Sequence, residues 1–472
     1  MATTIGEHSP GDELFNAFKY MILFSLCFAF FSWRNIVKKG RPPCMDGWIP
    51  WFGCAIDFGK APLDFIEETR RKLGPVFTIV AAGRWMTFVT EPEDITTFFQ
   101  SPNLDFQKAV QDPVSHTASV STESFFQYHT KIHDTIKGRL APANLHNFCS
   151  DLWGEFKQQL EQLEHHGKDD LNKLVRRCMF AAVVNNLFGA ENVPTDKDRV
   201  QEFSDTFVKY DADFEYGSQL PPFFLREWAE SKKWLLSLFS RSIANMERKE
   251  TESQTLLQSL TKMVDRPHAP NYALLMLWAS QANAVPMSFW VLAMILSNED
   301  VHAAVKKEVQ DHLGPPGDEP ITEEDLKKLP LLKRCIMEAI RLRSPGVITR
   351  AVDKPLKIRK YIVPKGHLLM MSPYWAHRNP NFFPEPDKFL PDRWLDADLE
   401  KNLFLDGFVG FGGGRYQCPG RWFALMEIQM LLAMMIQMFD FKLLGEVPKE
   451  SPLHVVGTQQ PVGPCPVEWT KI

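Results

Sequence analysis

The residues of this chain best suited to chemistry lie near its end, in Phe411-Gly-Gly-Gly-Arg-Tyr-Gln-Cys418-Pro-Gly420. A glycine-rich turn runs into one cysteine, then a proline, then an apolar run that begins Arg421-Trp-Phe-Ala-Leu-Met-Glu427. Glycines allow the positive-φ conformations of a tight loop and the close approach of backbone to a flat ligand. Pro419 suits the first turn of a helix, where its missing N–H costs nothing. Cys418 then stands at a helix N-terminus, where the dipole and free N–H groups favour a thiolate. A buried thiolate in such a place can ligate a haem iron, pushing electron density onto the metal and favouring O–O cleavage. Taken alone, a cysteine at a glycine turn is more often a structural thiol, so the rest of the chain must decide.

A second candidate is Asn283. It lies in Asn271–Asn298, twenty-eight residues without a formal charge. Length and composition would allow a membrane span. However, its middle reads Trp278-Ala-Ser-Gln-Ala-Asn283-Ala284-Val-Pro286, and three polar side chains are costly against lipid. A helix apolar on all sides also suits the centre of a large soluble core, and we assign it there. Pro286 cannot donate to the carbonyl of Ala282, so a kink is expected, with a freed carbonyl and a groove beside the Asn283 amide. Glu338 and Arg341 form a third pair, three apart on one face of a helix expected over Glu323–Arg343.

The elements that must position these residues are mainly helical, with a minor β region. Helical periodicity marks Pro62–Lys72, Glu91–Phe99, Phe148–Leu163, Asp170–Leu187, Glu227–Arg248 and Trp422–Phe439. Alternation and β-branching mark strands over 75–82 and 85–90 around a turn at Gly83-Arg84, and over 347–350 and 361–371 around Pro364-Lys365-Gly366. Residues 101–124 are polar and lack a period, which predicts a long surface loop. Residues 211–222 read as an acidic, aromatic loop, and His454–Pro461 as a terminal hairpin.

Composition adds limits. The net charge of −5 and pI near 6.3 give no reason to expect nucleic acid. The eight cysteines are scattered without a C-x-x-C pair, which argues against a disulfide scaffold or a zinc site. Tyr20–Trp33 is uncharged and is followed by Arg34, Lys38, Lys39 and Arg41. This pattern predicts an uncleaved N-terminal membrane anchor within residues 1–40 and a cytoplasmic body over 41–472. A signal peptide would need a small-residue cleavage site, which Trp33-Arg34 does not supply.

Together these motifs resemble the cytochrome P450 haem-thiolate monooxygenases. Phe411, Gly414, Cys418 and Gly420 fill the F-x-x-G-x-[R/H]-x-C-x-G loop. Glu338 and Arg341 match the E-x-x-R helix, and Pro391-Asp392-Arg393-Trp394 matches the segment that follows it. The resemblance implies the fold of that family, with haem b between a long central helix and the cysteine loop. It further implies that Cys418 ligates the iron and that Glu338, Arg341 and Arg393 form a buried network propping the loop. Arg350 matches a propionate-binding arginine, and dioxygen and NADPH, through cytochrome P450 reductase, complete the reaction.

Three departures stand out. Tyr416 replaces the basic residue usually two before the cysteine, so Tyr416 or Arg415 must serve the propionate. A W-x-x-x-R signature is absent, and its counterpart falls within His129–Arg139. Asn283-Ala284 replaces the acid–threonine pair that delivers protons to bound dioxygen. The last change resembles the branch of sterol 7α-hydroxylases, sterol 12α-hydroxylase and prostacyclin synthase. Arg41-Pro-Pro-Cys, Phe214-Glu-Tyr-Gly-Ser-Gln-Leu-Pro and Pro345-Gly-Val-Ile-Thr-Arg narrow it toward the oxysterol 7α-hydroxylases of family 39. That resemblance implies an endoplasmic reticulum membrane enzyme of cholesterol breakdown and bile acid synthesis, acting on 24-hydroxycholesterol or a related oxysterol. A prostacyclin-synthase-like isomerase and a 12α-hydroxylase remain the alternatives. For the pocket, the expected residues are Asn283 and Ala284 at the reaction centre, with Trp278, Val347 and Thr458 around the sterol. The segments 101–124 and 211–222 are expected to cap the pocket and touch the membrane, and Lys333, Arg334, Arg393, Arg415 and Arg421 to meet an acidic reductase.

Overall fold

A computed structural model describes Met21 and residues 40–47, 49, 51–249, 255–399, 407–453 and 456–472. The anchor expected within residues 1–40 lies outside them, apart from Met21 and Gly40.

Helices dominate, and their sequences explain their ends. Pro62–Leu73 begins at a proline and stops at Gly74 (φ 94°). Leu171–Phe188 is capped by the Asp170 carboxylate, which accepts from the Lys173 N–H, and closes at Gly189. The expected helices recur as His146–Glu161, Leu171–Phe188, Arg226–Lys249 and Arg421–Met438. The apolar span divides into Ala269–Gln281 and Ala284–Leu296, separated at Ala282-Asn283. Pro286 explains the break, since it leaves the Ala282 carbonyl without its helical N–H partner. Among the described residues, Arg266–Leu296 is the one helix long and apolar enough to cross a membrane. Its most apolar stretch is 78% buried inside the protein, as a core helix requires.

A six-stranded sheet runs in the order β1 (Cys44–Met45), β2 (Val76–Ala81), β3 (Arg84–Val89), β9 (Leu368–Met371), β6 (Ile348–Val352), β4 (Leu104–Asp105). Ala82 (φ 49°) and Gly83 (φ 74°) form the β2–β3 turn, one residue earlier than expected. Arg350 pairs with Leu369 in the antiparallel β6–β9 ladder. β5 (His166–Asp170), β10 (Phe439–Leu443) and β11 (Pro466–Lys471) form a second sheet with β11 in the centre. β7 (Leu356–Ile358) and β8 (Tyr361–Val363) pair separately.

Four expectations change. Residues 101–124 are not a loop: Phe106–Ala118 is a helix, capped by Asp105 accepting from the Lys108 N–H at 3.0 Å. Its buried face consists of Ala109, Thr117 and Ala118, too small and too polar to give a period. Residues 211–222 are mostly ordered as the end of Val200–Ala212, the short helix Phe214–Gly217 and a turn at Pro222–Phe224. The helix expected over Glu323–Arg343 splits into Glu323–Lys327 and Pro330–Arg343, because Pro330 starts a new first turn. Around 454–461, where His454 and Val455 lie outside the described residues, the chain closes by one bridge between Glu450 and Pro461.

Candidate functional site

The cysteine loop takes its shape from two left-handed glycines, Gly412 and Gly414, both at φ 69°. A Cβ on Gly414 would stand 2.9 Å from the Phe99 carbonyl oxygen, so a side chain there is excluded by space as well as conformation. The Cys418 N–H donates to the Phe411 carbonyl at 2.9 Å, and Arg421 holds the Cys418 carbonyl at 3.1 Å. Burial pushes the Cys418 thiol above its ordinary pKa, against the pull of the Gly420 and Arg421 N–H groups and the Arg421 guanidinium. The helix N-terminus therefore does not by itself make a free thiolate. Its donors stabilise the sulfur anion only once a cation takes the proton's place. Among the described residues no cluster of three or more His, Cys, Asp or Glu could hold a metal, so a metal here needs ligands of its own.

Behind the loop lies the Glu338 network. Arg341 makes a two-point pair with Glu338 (2.8 and 2.9 Å), and Arg393 Nε reaches the same carboxylate at 2.9 Å. Trp394 Nε1–H and the Leu390 N–H add two more donors at 3.0 Å. The remaining guanidinium donors go to backbone: Arg341 to His377, Pro386 and Lys388, and Arg393 to Pro384 and Glu385. Glu338 and Arg341 are buried, Arg393 is half-buried at the rim, and all three are satisfied, the condition under which such a network rigidifies its surroundings.

One residue not singled out in the sequence carries that rigidity onward. His377, fully buried, donates from Nδ1 to the Arg341 carbonyl (3.0 Å) and accepts at Nε2 from the Val409 N–H (3.0 Å). Its ring stacks on Phe408 at 5.0 Å. Burial and two neighbouring arginines push its pKa down to about 3, so it is a neutral strut from the Glu338–Arg341 helix to the head of the cysteine loop.

The loop forms one wall of a cavity of about 640 Å³. Phe411, Gly412, Gly413, Tyr416 and Cys418 line it, and Asn283, Ala284 and Met287 face it from the broken central helix. Val347, Arg350 and Thr458 complete the predicted set present there. Arg415 does not line it but lies exposed, its guanidinium 5.7 Å from the Tyr416 ring. Trp278 stacks on Phe214 at 3.8 Å, and Phe214 rather than Trp278 lines the cavity. Trp278 donates at 2.9 Å to Asp211, whose carboxyl burial pushes up to about 6 against the pull of Arg176.

Arg350 shows what the cavity is built to hold. It is only 6% exposed, it lies 4.7 Å from the Phe106 ring, and among the described residues its guanidinium makes one hydrogen bond, to the neighbouring Thr349 carbonyl. Burial pushes its pKa down to about 10 against the pull of Tyr416 and Asp105, and among the described residues it forms no ion pair. A buried, unpaired guanidinium at a cavity wall calls for an anionic group on the ligand. Tyr416 stacks on Phe106 at 4.8 Å nearby. The helix Thr122–Arg139 brings His129 and His133, at the four-residue spacing of the missing W-x-x-x-R pair, to 5.6 and 5.4 Å from the Tyr416 ring. An apolar cavity with a sulfur on one wall and this cation on another fits a flat metallated ligand with acidic edge groups, and haem is such a ligand.

Asn283 faces the cavity with its chemistry half spent. The Thr458 N–H donates to Asn283 Oδ1 at 2.9 Å. Because a backbone N–H can only donate, the amide is oriented: Oδ1 gives one of its two lone pairs to Thr458, and Nδ2 presents two N–H donors. Gly457 (φ 83°) makes this approach possible, for a Cβ there would lie 2.1 Å from Oδ1. On its other side the Val456 N–H donates to Glu215 at 2.8 Å.

The comparisons with known proteins agree with this geometry. A family model described as Cytochrome P450 matches residues 42–465. The chain is 47% identical to 24-hydroxycholesterol 7-alpha-hydroxylase of Homo sapiens, over 94% of this chain and 96% of that protein. The same enzyme of Mus musculus is 47% identical, over 97% and 98% respectively. Cholesterol 7-alpha-monooxygenase of Cricetulus griseus is 25% identical, over 89% and 90%.

Proposed function

The chain belongs to the cytochrome P450 family of haem-dependent, dioxygen-using monooxygenases, and from that premise we propose that it hydroxylates 24-hydroxycholesterol or a closely related oxysterol at the 7α position. The carrying observation is the 47% identity maintained over nearly the full length of two enzymes of that name.

In this reading Cys418 would hold the haem iron, Phe411 would border the haem, and Arg350, with Tyr416 beside it, would meet a propionate. When bound, the haem supplies reductive activation of dioxygen and insertion of one oxygen atom into a C–H bond. The protein's part is orientation. Asn283 has no pKa of use in proton transfer. Oriented by Thr458, it offers two N–H donors that hold an acceptor, either a water or an oxygen of the substrate. Ala284, with its small side chain, leaves room for the sterol ring, and Val347, just before β6, and Thr458 bound the same cavity. Residues 1–40 anchor the body to the endoplasmic reticulum membrane, and NADPH–cytochrome P450 reductase supplies the electrons.

The test uses the full chain in membranes with reductase, NADPH and 24-hydroxycholesterol. The expected result is a thiolate-type carbon monoxide difference spectrum and an NADPH-dependent 7α-hydroxylated product. Absence of that spectrum removes the role of Cys418. A product at another carbon removes the positional claim, and turnover of a peroxide substrate without NADPH would favour the isomerase chemistry of the Asn-containing branch.

A further inference from the structure

Among the described residues two carboxylates line the cavity, Glu427 and Glu215. Glu427 lies on the helix that follows Cys418, on the sulfur side. Glu215 belongs with Asn283. Its Oε1 accepts from the Val456 N–H at 2.8 Å, and two residues further on the Thr458 N–H donates to Asn283 Oδ1 at 2.9 Å. One turn thus holds both the carboxylate and the reaction-centre amide, and its two N–H groups lie no more than about 7 Å apart. Glu215 is half-buried and Val456 exposed, so the carboxylate stands where the cavity opens to the surface. The short segment that carries it is held from several sides. Phe214 stacks on Trp278 at 3.8 Å, and Trp278 is tied to Asp211. The Ser218 carbonyl accepts from His116 Nδ1 at 3.1 Å, which joins the segment to the helix Phe106–Ala118. Gly217 packs so close to Trp228 that a Cβ there would lie 2.3 Å from the indole. A carboxylate in this setting is in place before a ligand arrives, which lowers the cost of binding one.

The chemistry of that group selects its ligand. A carboxylate has about four acceptor sites, and the Val456 N–H takes one. Phe58, Met86, Val110, Phe214, Met276 and Val347 make the surrounding walls largely apolar. A sterol suits such walls, but each hydroxyl it carries gives up a water partner on entry and needs another in its place. An O–H donated to a carboxylate makes a charge-assisted bond, roughly twice as strong as a neutral one. We propose that Glu215 is a specificity-determining residue of this site, accepting a hydrogen bond from a sterol hydroxyl remote from the carbon attacked. This rests on the oxysterol reading above. The substrate proposed there carries two such groups, one on the ring system and one on the side chain, and both present the same O–H. With a hydroxyl on Glu215, and Asn283 fixed by the same turn, the sterol takes one lengthwise setting relative to the reaction centre.

The test pairs a change in the protein with a change in the ligand, read as Kd in spectral titrations of the haem-loaded full chain. Three sterols serve: 24-hydroxycholesterol; cholesterol, which lacks the side-chain hydroxyl; and 24-hydroxycholest-4-en-3-one, which has a ketone in place of the ring hydroxyl. The wild type should bind 24-hydroxycholesterol at least about tenfold more tightly than one of the two analogues. Glu215→Leu should erase that preference. Loss of the Val456 bond weakens all three sterols alike and cancels in the ratio. Glu215→Gln, whose amide oxygen still accepts from Val456, should keep a preference of about threefold, because a neutral bond replaces a charge-assisted one. The analogue against which the preference is lost identifies the hydroxyl. An undiminished preference in Glu215→Leu overturns the proposal, as does a wild type that binds all three sterols equally. If Glu215→Leu takes up no haem, the wild-type ratio and Glu215→Gln decide in the same way. A wild type that shows the preference yet makes no 7α-hydroxylated product counts against the proposed function, not against the role of Glu215.

Discussion

Replacing His377 by glutamine should make the protein less stable near neutrality and relatively more stable in acid. The wild-type ring is neutral and enclosed, with a pKa pushed down from 6.5 to about 3. Below pH 6.5 the unfolded chain therefore takes up a proton that the folded chain refuses. Stability from this group is fully present above 6.5 and is lost as pH falls toward 3. At about 1.4 kcal/mol per pH unit, the whole span is worth about 5 kcal/mol, and the part lost by pH 5 is about 2 kcal/mol. Glutamine can still donate to the Arg341 carbonyl and accept from the Val409 N–H, but it loses the stacking on Phe408 and the fixed ring geometry. That costs about 1–3 kcal/mol at pH 7.5, where both proteins are otherwise alike. The two stability curves should thus converge near pH 5 and cross below it. His129 and His367, also pushed down to about 4, contribute acid lability to both proteins and cancel in the difference. Denaturant titrations of the haem-loaded full chain at pH 7.5, 6 and 5, followed by tryptophan fluorescence and the Soret band, measure it. A wild-type advantage that does not change between pH 7.5 and 5 would refute the neutral-strut reasoning.

Three further outcomes are expected. Glu338→Gln leaves the charges of Arg341 and Arg393 buried without their anion, which should cost about 3–5 kcal/mol and abolish stable haem content, read by haem extraction from the purified chain. Gly457→Ala forces a Cβ toward Asn283 Oδ1 at a left-handed position, at a backbone cost of about 1–2 kcal/mol, and should weaken sterol binding about tenfold in a spectral titration while leaving the carbon monoxide spectrum unchanged. Asp211→Asn keeps the acceptor for Trp278 and removes a group whose folded pKa of about 6 exceeds the ordinary 3.8, so wild-type stability falls relative to the variant as pH rises from about 4 to 6, by about 3 kcal/mol on a denaturation series.

How much of this was legible in the sequence follows from what kind of signal each part leaves. Helices such as Leu171–Phe188 and Arg226–Lys249 bury large side chains at helical spacing, so their ends were readable within a residue or two. The helix Phe106–Ala118 buries small and polar residues and hides Pro113 within it, so no period betrays it. Glu338, Arg341 and Arg393 could be grouped because one helix spacing and one motif tie them together. His377 could not, since its two partners, Arg341 and Val409, are 36 and 32 residues away and both bonds go to backbone. Trp278 looked like a pocket residue because it sits on the central helix near Asn283. Its indole instead finds Asp211, 67 residues distant, a partner only the packing of three helices reveals.

The bond from Thr458 to Asn283 has a consequence for the order in which this molecule can be completed on the ribosome. One side of the binding chamber is made by residue 283, yet the amide that faces it is oriented by a backbone group synthesised 175 residues later. The same late stretch brings Cys418, the strand Pro466–Lys471 that joins β10 to β5, and the Cys465 carbonyl that receives the Leu171 N–H. At roughly 5–20 residues per second, many seconds separate the emergence of the central helix from that of the turn that fixes its amide. During that interval the helices through Arg343 can pack, but the chamber stands without its sulfur, its C-terminal wall and its oriented amide. Prosthetic group uptake should therefore close biosynthesis, and a chain ending at residue 410, before Cys418, should fold its helical body and still bind no haem.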